Sequence, residues 1–361
     1  MTTMKKRKKI LYVASTASHL QRFHEPYLLE LRKTCDVCTM ANGDGVDYPI
    51  PFSKKILSLK HFGVIRQIRQ ICKKEAFDAV ILNTSLAAAL TRIALRNVKP
   101  HPYVMNVVHG YLFSYPPKGF RDHFLLWCER RLYRQTDTIA VMNAHDLGAA
   151  NAYRLCTGNV TFLKGMGMKP FTIPQPHEAL RLRFAAFRDV LLTFVGELSG
   201  RKNQIFLIRA VAKLREEGLP VRLLLIGSGD KHAALIREIG KLGLGESVAF
   251  AGERENVLPY LAITDIYVSA SKSEGLPFNI LEAMQCGLPV LASDVRGHQD
   301  LLPSDHLYPL NDLDAFCASL RKMVLKGPLG MQSVKYPHLK KYLLPAVFKQ
   351  NMKIIRQGVA L

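Results

Sequence analysis

Ser271-Lys272-Ser273-Glu274-Gly275-Leu276-Pro277-Phe278-Asn279-Ile280-Leu281-Glu282-Ala283-Met284 sets two glutamates eight positions apart around a Gly-Leu-Pro turn. Gly275 reaches backbone angles closed to other residues. Pro277 suits the first turn of a helix, where the N–H it lacks has no partner to lose. The segment therefore reads as a loop carrying Glu274, then a helix with Glu282 about one and a half turns inside it. N–H groups of such a first turn attract anions, phosphate above all. A carboxylate beside an anion cradle, with a second one further in, suits a ligand bearing both phosphate and hydroxyls, as a nucleotide sugar does.

Outward from this segment, strand and helix patterns alternate. Upstream of it lie strands at Val190–Val195, Val221–Gly227, Val248–Ala251 and Ile266–Ser269, separated by helices at Asn203–Glu216, Lys231–Leu242 and Asn256–Ile263; the helix Phe278–Cys286 and the strand Val290–Ser293 follow. An earlier run has strands at Ile10–Ala14, Val37–Met40, Ala79–Leu82, Tyr103–Val108 and Thr138–Met142, with helices near Arg22–Lys33, His61–Lys74, Ser85–Arg96 and Arg121–Arg134. Val160–Leu163 leads into Gly165-Met166-Gly167 and Pro170, Pro174 and Pro176, the best linker. Repeated βα units with apolar strands predict α/β architecture, with parallel sheets covered on both faces. Two runs predict two doubly wound, Rossmann-like domains, 1–171 and 172–339, facing across a cleft, with ligands beyond the carboxyl ends of the strands.

A chain of 361 residues with 48% apolar side chains can bury two cores. No run of 18 apolar residues points to a membrane span, and the run after the basic N-terminus is too short for a signal-peptide core. Seven scattered cysteines argue against a disulfide framework and fit a reducing cytoplasm. Cys35 and Cys38 have C-x-x-C spacing without a second pair and read as core cysteines. The net charge is +21, and residues 1–170 carry 26 basic against 11 acidic side chains, the remainder 24 against 18. The basic half implies an anionic partner there: a membrane surface, a phosphorylated acceptor or nucleic acid.

The order of motifs resembles that of retaining glycosyltransferases of family 4, with the two-domain GT-B architecture, and is most similar to the branch that builds bacterial capsular and exopolysaccharide repeat units. The resemblance covers almost the whole length. It rests on Phe194–Gln204, Leu225-Ile226-Gly227-Ser228-Gly229-Asp230, the Glu274/Glu282 segment, Cys286–Asp294, Phe23-His24-Glu25-Pro26-Tyr27 and Val108-His109-Gly110-Tyr111. It implies a metal-independent hexosyltransferase that moves a hexose or N-acetylhexosamine from a nucleotide sugar, UDP for preference, to a polyprenyl-diphosphate-linked or oligosaccharide acceptor. The acceptor belongs to the N-terminal domain and the donor to the C-terminal one, and a final helix near 340–361 packs back on the first domain.

By the same resemblance Lys202 binds the diphosphate and stabilises its developing charge. Glu197 stands where the family has an arginine, so Arg201 is the candidate to supply that charge. Glu282 takes the ribose hydroxyls and Glu274 the transferred sugar. Pro277, Phe278 and Asn279 present the helix start to the distal phosphate. Gly227 and Gly229 wall the base and ribose pocket, or simply make a tight turn, and Arg254 lies where backbone groups hold the base. His109 hydrogen-bonds a sugar hydroxyl or a phosphate. The departing phosphate takes the acceptor's proton, and the enzyme supplies orientation and charge stabilisation. Ser18 and His19 are secondary candidates near the phosphates, and Asn83 stands where relatives often have a histidine.

No metal is expected: the one Asp-x-Asp match, Asp312-Leu313-Asp314, reads as a helix cap and first-turn acid. Between Ser53 and Lys74, Lys54, Lys55, Lys60, Arg66, Arg69, Lys73 and Lys74 interleave with apolar residues, Ile56 and Leu57 among them. Arg66, Arg69 and Lys73 share one helix face, and Ile65, Ile68 and Cys72 another. This suits either a helix lying on anionic lipid, at the inner leaflet of the cell membrane, or one packed on the sheet with a solvated face. Two other readings remain, a same-fold UDP-sugar 2-epimerase and a catalytically degenerate membrane-binding protein. The absence of aromatic-studded basic stripes weighs against nucleic acid.

Overall fold

A computed structural model describes residues 7–53, 58–325 and 334–359. Lys54, Lys55, Ile56 and Leu57 lie outside the described residues. The chain divides into two compact units, 1–169 with 341–361, and 170–340.

The first unit is built on a seven-stranded sheet: β1 (Lys9–Thr16), β2 (Asp36–Asn42), β3 (Tyr48–Pro49), β4 (Ala79–Asn83), β5 (Tyr103–Val108), β6 (Thr138–Val141) and β7 (Val160–Phe162), in the order β3-β2-β1-β4-β5-β6-β7. The second has six strands: β8 (Val190–Val195), β9 (Val221–Ile226), β10 (Val248–Gly252), β11 (Ile266–Ser269), β12 (Val290–Ser293) and β13 (Leu307–Tyr308), in the order β10-β9-β8-β11-β12-β13. Every strand pair in both sheets is parallel. The cause is in the side chains: Ile10–Ala14 and Leu223–Ile226 are buried without a break, so both faces need helical cover, and only crossover connections supply it. The order reverses beside β1 and beside β8, which are the switch points where such sheets bind ligands.

The helix Lys60–Glu75 buries Val64, Ile68 and Cys72 in the core around β1 and β4. Its apolar face covers the sheet, so that face is not the one offered to lipid. Arg69 Nε donates to the Ala94 carbonyl (3.2 Å), while Arg66 and Lys73 stay exposed. Exposed apolar area lies elsewhere, at Leu59, Phe62, Phe120 and Trp127.

The C-terminal helix, Leu344–Gly358, belongs to the first unit. Asn351 Nδ2 donates to Tyr27 Oη (3.0 Å) and to the Gly165 carbonyl (2.7 Å), and Arg356 pairs with Glu30 (2.9 Å). Asp312 Oδ1 accepts the Ala315 N–H (2.9 Å) at the start of the helix Leu313–Leu325, and Asp314 pairs with Lys213. The Asp-x-Asp match is thus committed to capping and a surface ion pair. All seven cysteines are free, with Cys35 buried and Cys38 partly so.

Candidate active site

In the second unit the functional side chains come from loops that follow β8 and β11, at the carboxyl ends of the central strands. Asn203 takes a left-handed conformation (φ 58°) just before the helix Gln204–Glu216, and Gln204 Nε2 donates to the Glu197 carbonyl (2.7 Å). These constraints fix the loop 196–203 and turn Lys202 inward. Lys202 Nζ donates to Glu274 Oε1 (2.6 Å), and Arg201 Nη1 donates to Glu274 Oε2 (2.9 Å) and to the Ser273 carbonyl (2.9 Å). The Lys272 N–H closes the two loops together on the Arg201 carbonyl (2.8 Å). Glu274 is 8% exposed. Burial alone would raise its pKa, but the charges of Lys202 and Arg201 outweigh that and hold it down at about 2. The sequence candidates Lys202, Arg201 and Glu274 therefore meet as one charged cluster with a single net positive charge.

Glu282 lies one turn inside the helix Phe278–Gln285 and is partly exposed. Its charge and that of Glu274 both bear on the buried phenol of Tyr267, so the two carboxylates flank one residue. Tyr267 was not legible as a site residue, because in sequence it is one apolar position of β11. Its hydroxyl accepts from Asn279 Nδ2 (2.7 Å) and from the Val195 N–H (3.2 Å), while Asn279 Nδ2 also donates to the Val195 carbonyl (2.7 Å). The Asn279 side chain thus ties the helix start to β8. Pro277 sits one position before the helix, as its cap residue, and its carbonyl accepts the Ile280 N–H (3.2 Å).

Two more sequence candidates have structural duties. A Cβ on Gly227 would fall 2.0 Å from the Gly196 carbonyl oxygen, and one on Gly229 would fall 2.2 Å from that of Leu198. These glycines let the loop after β9 lie directly on the loop after β8, where the Leu198 N–H reaches the Ser228 carbonyl (2.9 Å). Arg254 stacks over the Tyr260 ring at 5.7 Å. His298, which sequence reasoning missed, is fully buried, with Nδ1 2.8 Å from the Ser293 carbonyl oxygen. The preceding Gly297 (φ 82°) approaches so closely that a Cβ would stand 2.7 Å from the Gly275 oxygen and 2.9 Å from Glu274 Cβ. The Gly-His pair after β12 was the available signal.

In the first unit His109 follows β5 and meets two histidines from the loop after β1. Thr16 Oγ1 accepts the His19 N–H (3.3 Å), and Leu20–His24 then forms a π-helical turn. His24 is fully buried, with Nδ1 2.9 Å from Tyr12 Oη and Nε2 3.3 Å from His19 Nε2. Ring centroids are 5.0 Å apart for His19–His109 and 5.4 Å for His24–His109. Burial drives the imidazoles toward neutrality: His19 falls to about 4, and His24 and His109 go well below their ordinary value, pushed further by neighbouring histidines. Ser18 is exposed and donates to Thr16 Oγ1 (3.2 Å). Asn83 is fully buried, and its Nδ2 donates to the Val13 carbonyl (3.2 Å), so its amide braces β1.

The same unit holds a cavity of about 1090 Å³, lined by Phe62, Leu86, Phe113, Phe124, Trp127 and Tyr133 together with Arg96, Arg130, Arg131 and Arg134. Arg131 lies over the Trp127 ring at 5.2 Å and Arg134 over Tyr133 at 5.7 Å. An apolar trough with an arginine rim fits an amphiphile with an anionic head. Among the described residues, no helix is long and apolar enough to cross a membrane.

Two family models match the chain: "Glycosyl transferase 4-like domain" over residues 11–155 and "Glycosyl transferases group 1" over residues 189–325. EpsD of Bacillus subtilis, named as a glycosyltransferase, is 29% identical over 340 residues, 89% of each chain. The Escherichia coli UDP-Gal:alpha-D-GlcNAc-diphosphoundecaprenol alpha-1,3-galactosyltransferase is 24% identical over 78% of this chain and 75% of its own. Among solved structures, Anabaena HepE in complex with UDP and glucose superposes with a TM-score of 0.77 at 17% identity, over 97% of this chain and all of that one. Sucrose-phosphate synthase from Thermosynechococcus elongatus gives 0.78 at 17% identity, over 98% and 100%.

Proposed function

The chain is a glycosyltransferase of the GT-B fold, and we propose that it is a retaining, metal-independent one, moving a hexose or N-acetylhexosamine from a UDP-sugar to a polyprenyl-diphosphate-linked saccharide in bacterial surface-polysaccharide synthesis. The observation that carries this reading is Glu274 held between Lys202 and Arg201 beyond the ends of β8 and β11. An ammonium has three N–H groups, and Lys202 donates one of them to Glu274. The others can meet the diphosphate and stabilise its charge as the sugar leaves. Glu282 takes the ribose hydroxyls, and Glu274 turns its remaining lone pairs to the sugar. Neutral His109 orients a hydroxyl rather than acting as a cation. The polyprenyl acceptor is supported by the arginine-rimmed apolar trough in the first unit and by two relatives whose names specify diphospho-undecaprenol acceptors.

The test is turnover of UDP-sugars on synthetic polyprenyl-diphosphate sugars, with the product's anomeric configuration read by NMR. An inverted linkage, or folded protein that binds neither UDP nor GDP by calorimetry, refutes the reading. Because fixed cations face the diphosphate, excess EDTA should leave the rate within about twofold. Glu282→Ala should raise the donor KM about 10- to 100-fold with little change in kcat, the worth of one or two hydrogen bonds to a charged acceptor.

Docking on membrane is part of the same proposal, and it uses the exposed aromatic end of the first unit rather than the buried face of the helix Lys60–Glu75. Phe62 and Trp127 are 75% and 52% exposed, so replacing both by Asp should leave Tm within about 2 °C. It should cut cosedimentation with phosphatidylglycerol vesicles at least about 10-fold. Undiminished vesicle binding by this variant counts against the surface.

A further inference from the structure

We propose that His19, His24 and His109 form a three-imidazole site for a divalent transition-metal ion of the zinc class, and that filling it switches transfer off by occupying His109. One ligand nitrogen from each residue lies within 4.8 Å of the others, the one such His, Cys, Asp or Glu cluster among the described residues. Tetrahedral zinc with Zn–N near 2.0–2.1 Å sets its nitrogens roughly 3.3 Å apart. The His19 and His24 Nε2 atoms already stand 3.3 Å apart. His109 Nε2 is buried without a hydrogen-bond partner. Closing the third edge needs movement of about 1.5 Å or less, within reach of a side-chain rotation.

The backbone explains the convergence. Residues five apart on an α-helix point about 140° away from each other. The π-helical turn Leu20–His24 widens the spiral, and His19 and His24 come to one side, their centroids 5.2 Å apart. His109 arrives from the end of β5, on a different strand. Tyr12, on β1, supplies the outer contact that metal-bound imidazoles use: its hydroxyl meets His24 Nδ1 at 2.9 Å, and a proton on Nδ1 leaves the Nε2 lone pair facing the site. Three protein ligands leave a fourth position open for an oxygen from water or from a bound ligand. The ion binds by lone-pair donation alone, with no change of redox state.

The binding half of the proposal stands on the histidines alone; the inhibitory half rests on the reading of His109 as a residue that orients substrate. Titrating the purified full-length protein with cobalt(II) should give a one-to-one complex with the intense visible bands of tetrahedral nitrogen ligation. Tyr12→Phe should weaken it about 10- to 100-fold, and His19→Gln and His24→Gln should abolish it. Should these variants not fold, X-ray absorption of the zinc-loaded wild type decides: a nitrogen/oxygen shell at about 2.0–2.1 Å with imidazole scattering supports the site, and sulfur scattering at about 2.3 Å overturns it. Cobalt binding undiminished in folded His19→Gln also overturns it. Equimolar zinc should stop transfer, and EDTA should restore it. Zinc bound at the histidines with transfer unaffected refutes the switch while leaving the site. Absence of any transfer, with the spectroscopic signature present, refutes the proposed function and not the metal site.

Discussion

Lys202→Met is expected to lower kcat for sugar transfer by about 10²- to 10³-fold, the effect of removing one preorganised charge partner from a departing oxyanion. It should also destabilise the second unit by about 3–5 kcal/mol, because a buried carboxylate loses its buried counter-ion. Both effects follow from one geometry. Lys202 has a side chain 10% exposed and reaches a carboxylate 8% exposed, whereas Arg201, the other partner of Glu274, is 46% exposed and largely screened by water. Arg201→Gln should therefore cost less than about 1 kcal/mol and under about 10-fold in rate. The two roles of Lys202 separate in the double variant Lys202→Met/Glu274→Gln. Removing the charge that is left with only the exposed Arg201 as partner should recover most of the lost stability, since a neutral amide tolerates the site, yet transfer should stay at or below the single variant's level. The measurements are urea unfolding at pH 7.5 and initial rates at saturating acceptor. A single variant within about threefold of wild-type kcat would show that the cation faces no developing charge. A double variant no more stable than the single one would show that the ion pair is not what Lys202 contributes to folding.

The fold was legible because its causes are local. Five-residue runs such as Ile10–Ala14 can only be strands buried on both faces, and their alternation with helical patterns leaves parallel sheets as the arrangement that covers them. The strands Tyr48–Pro49 and Leu307–Tyr308 were not legible, since two residues carry no period. The π-helical turn was hidden for a related reason: Arg22–Lys33 reads as one amphipathic helix, and nothing in side-chain periodicity marks a switch to i→i+5 bonding. In the site, the positions of Glu274 and Lys202 on the loops after β11 and β8 were legible, but the ion pair between them was not, because a contact across two loops leaves no mark on either one's sequence. Asn279 and Arg254 were legible in position only. Which way their side chains turn depends on Tyr267 and on Tyr260, contacts that sequence neighbours do not reveal. The helix Lys60–Glu75 shows the same limit. Its pattern fits a sheet or a membrane equally well, and the unmet apolar face of the first sheet decides between them.

Lowering the pH from 7 to 5 should unfold the first unit well before the second, through the same three histidines. The sign follows from proton counting. In the unfolded chain each imidazole titrates near 6.5. In the folded unit burial holds His19 near 4 and His24 and His109 well below their ordinary value. Between those limits the unfolded state binds more protons, so stability falls as pH falls, by up to about 1.4 kcal/mol per pH unit for each histidine. At pH 5, about 1.5 units below the unfolded value, all three histidines act in the same direction, against folding of this unit. Among the described residues of the second unit the one such group is His298, whose burial lowers its pKa while the charge of Glu274 partly raises it again. Glu274 itself, held near 2, does not begin to cost stability until the pH falls below about 4.5, where its unfolded form starts to protonate. Calorimetric scans at pH 7, 6 and 5 should therefore split into two transitions, the lower one moving down steeply. Zinc should raise that lower transition at pH 7 and much less at pH 5, where the unfolded imidazoles are protonated and the ion must still find three neutral ligands in a unit already close to its midpoint. A lower transition that stays within about 3 °C between pH 7 and pH 5 would mean that these histidines are not buried neutral in solution.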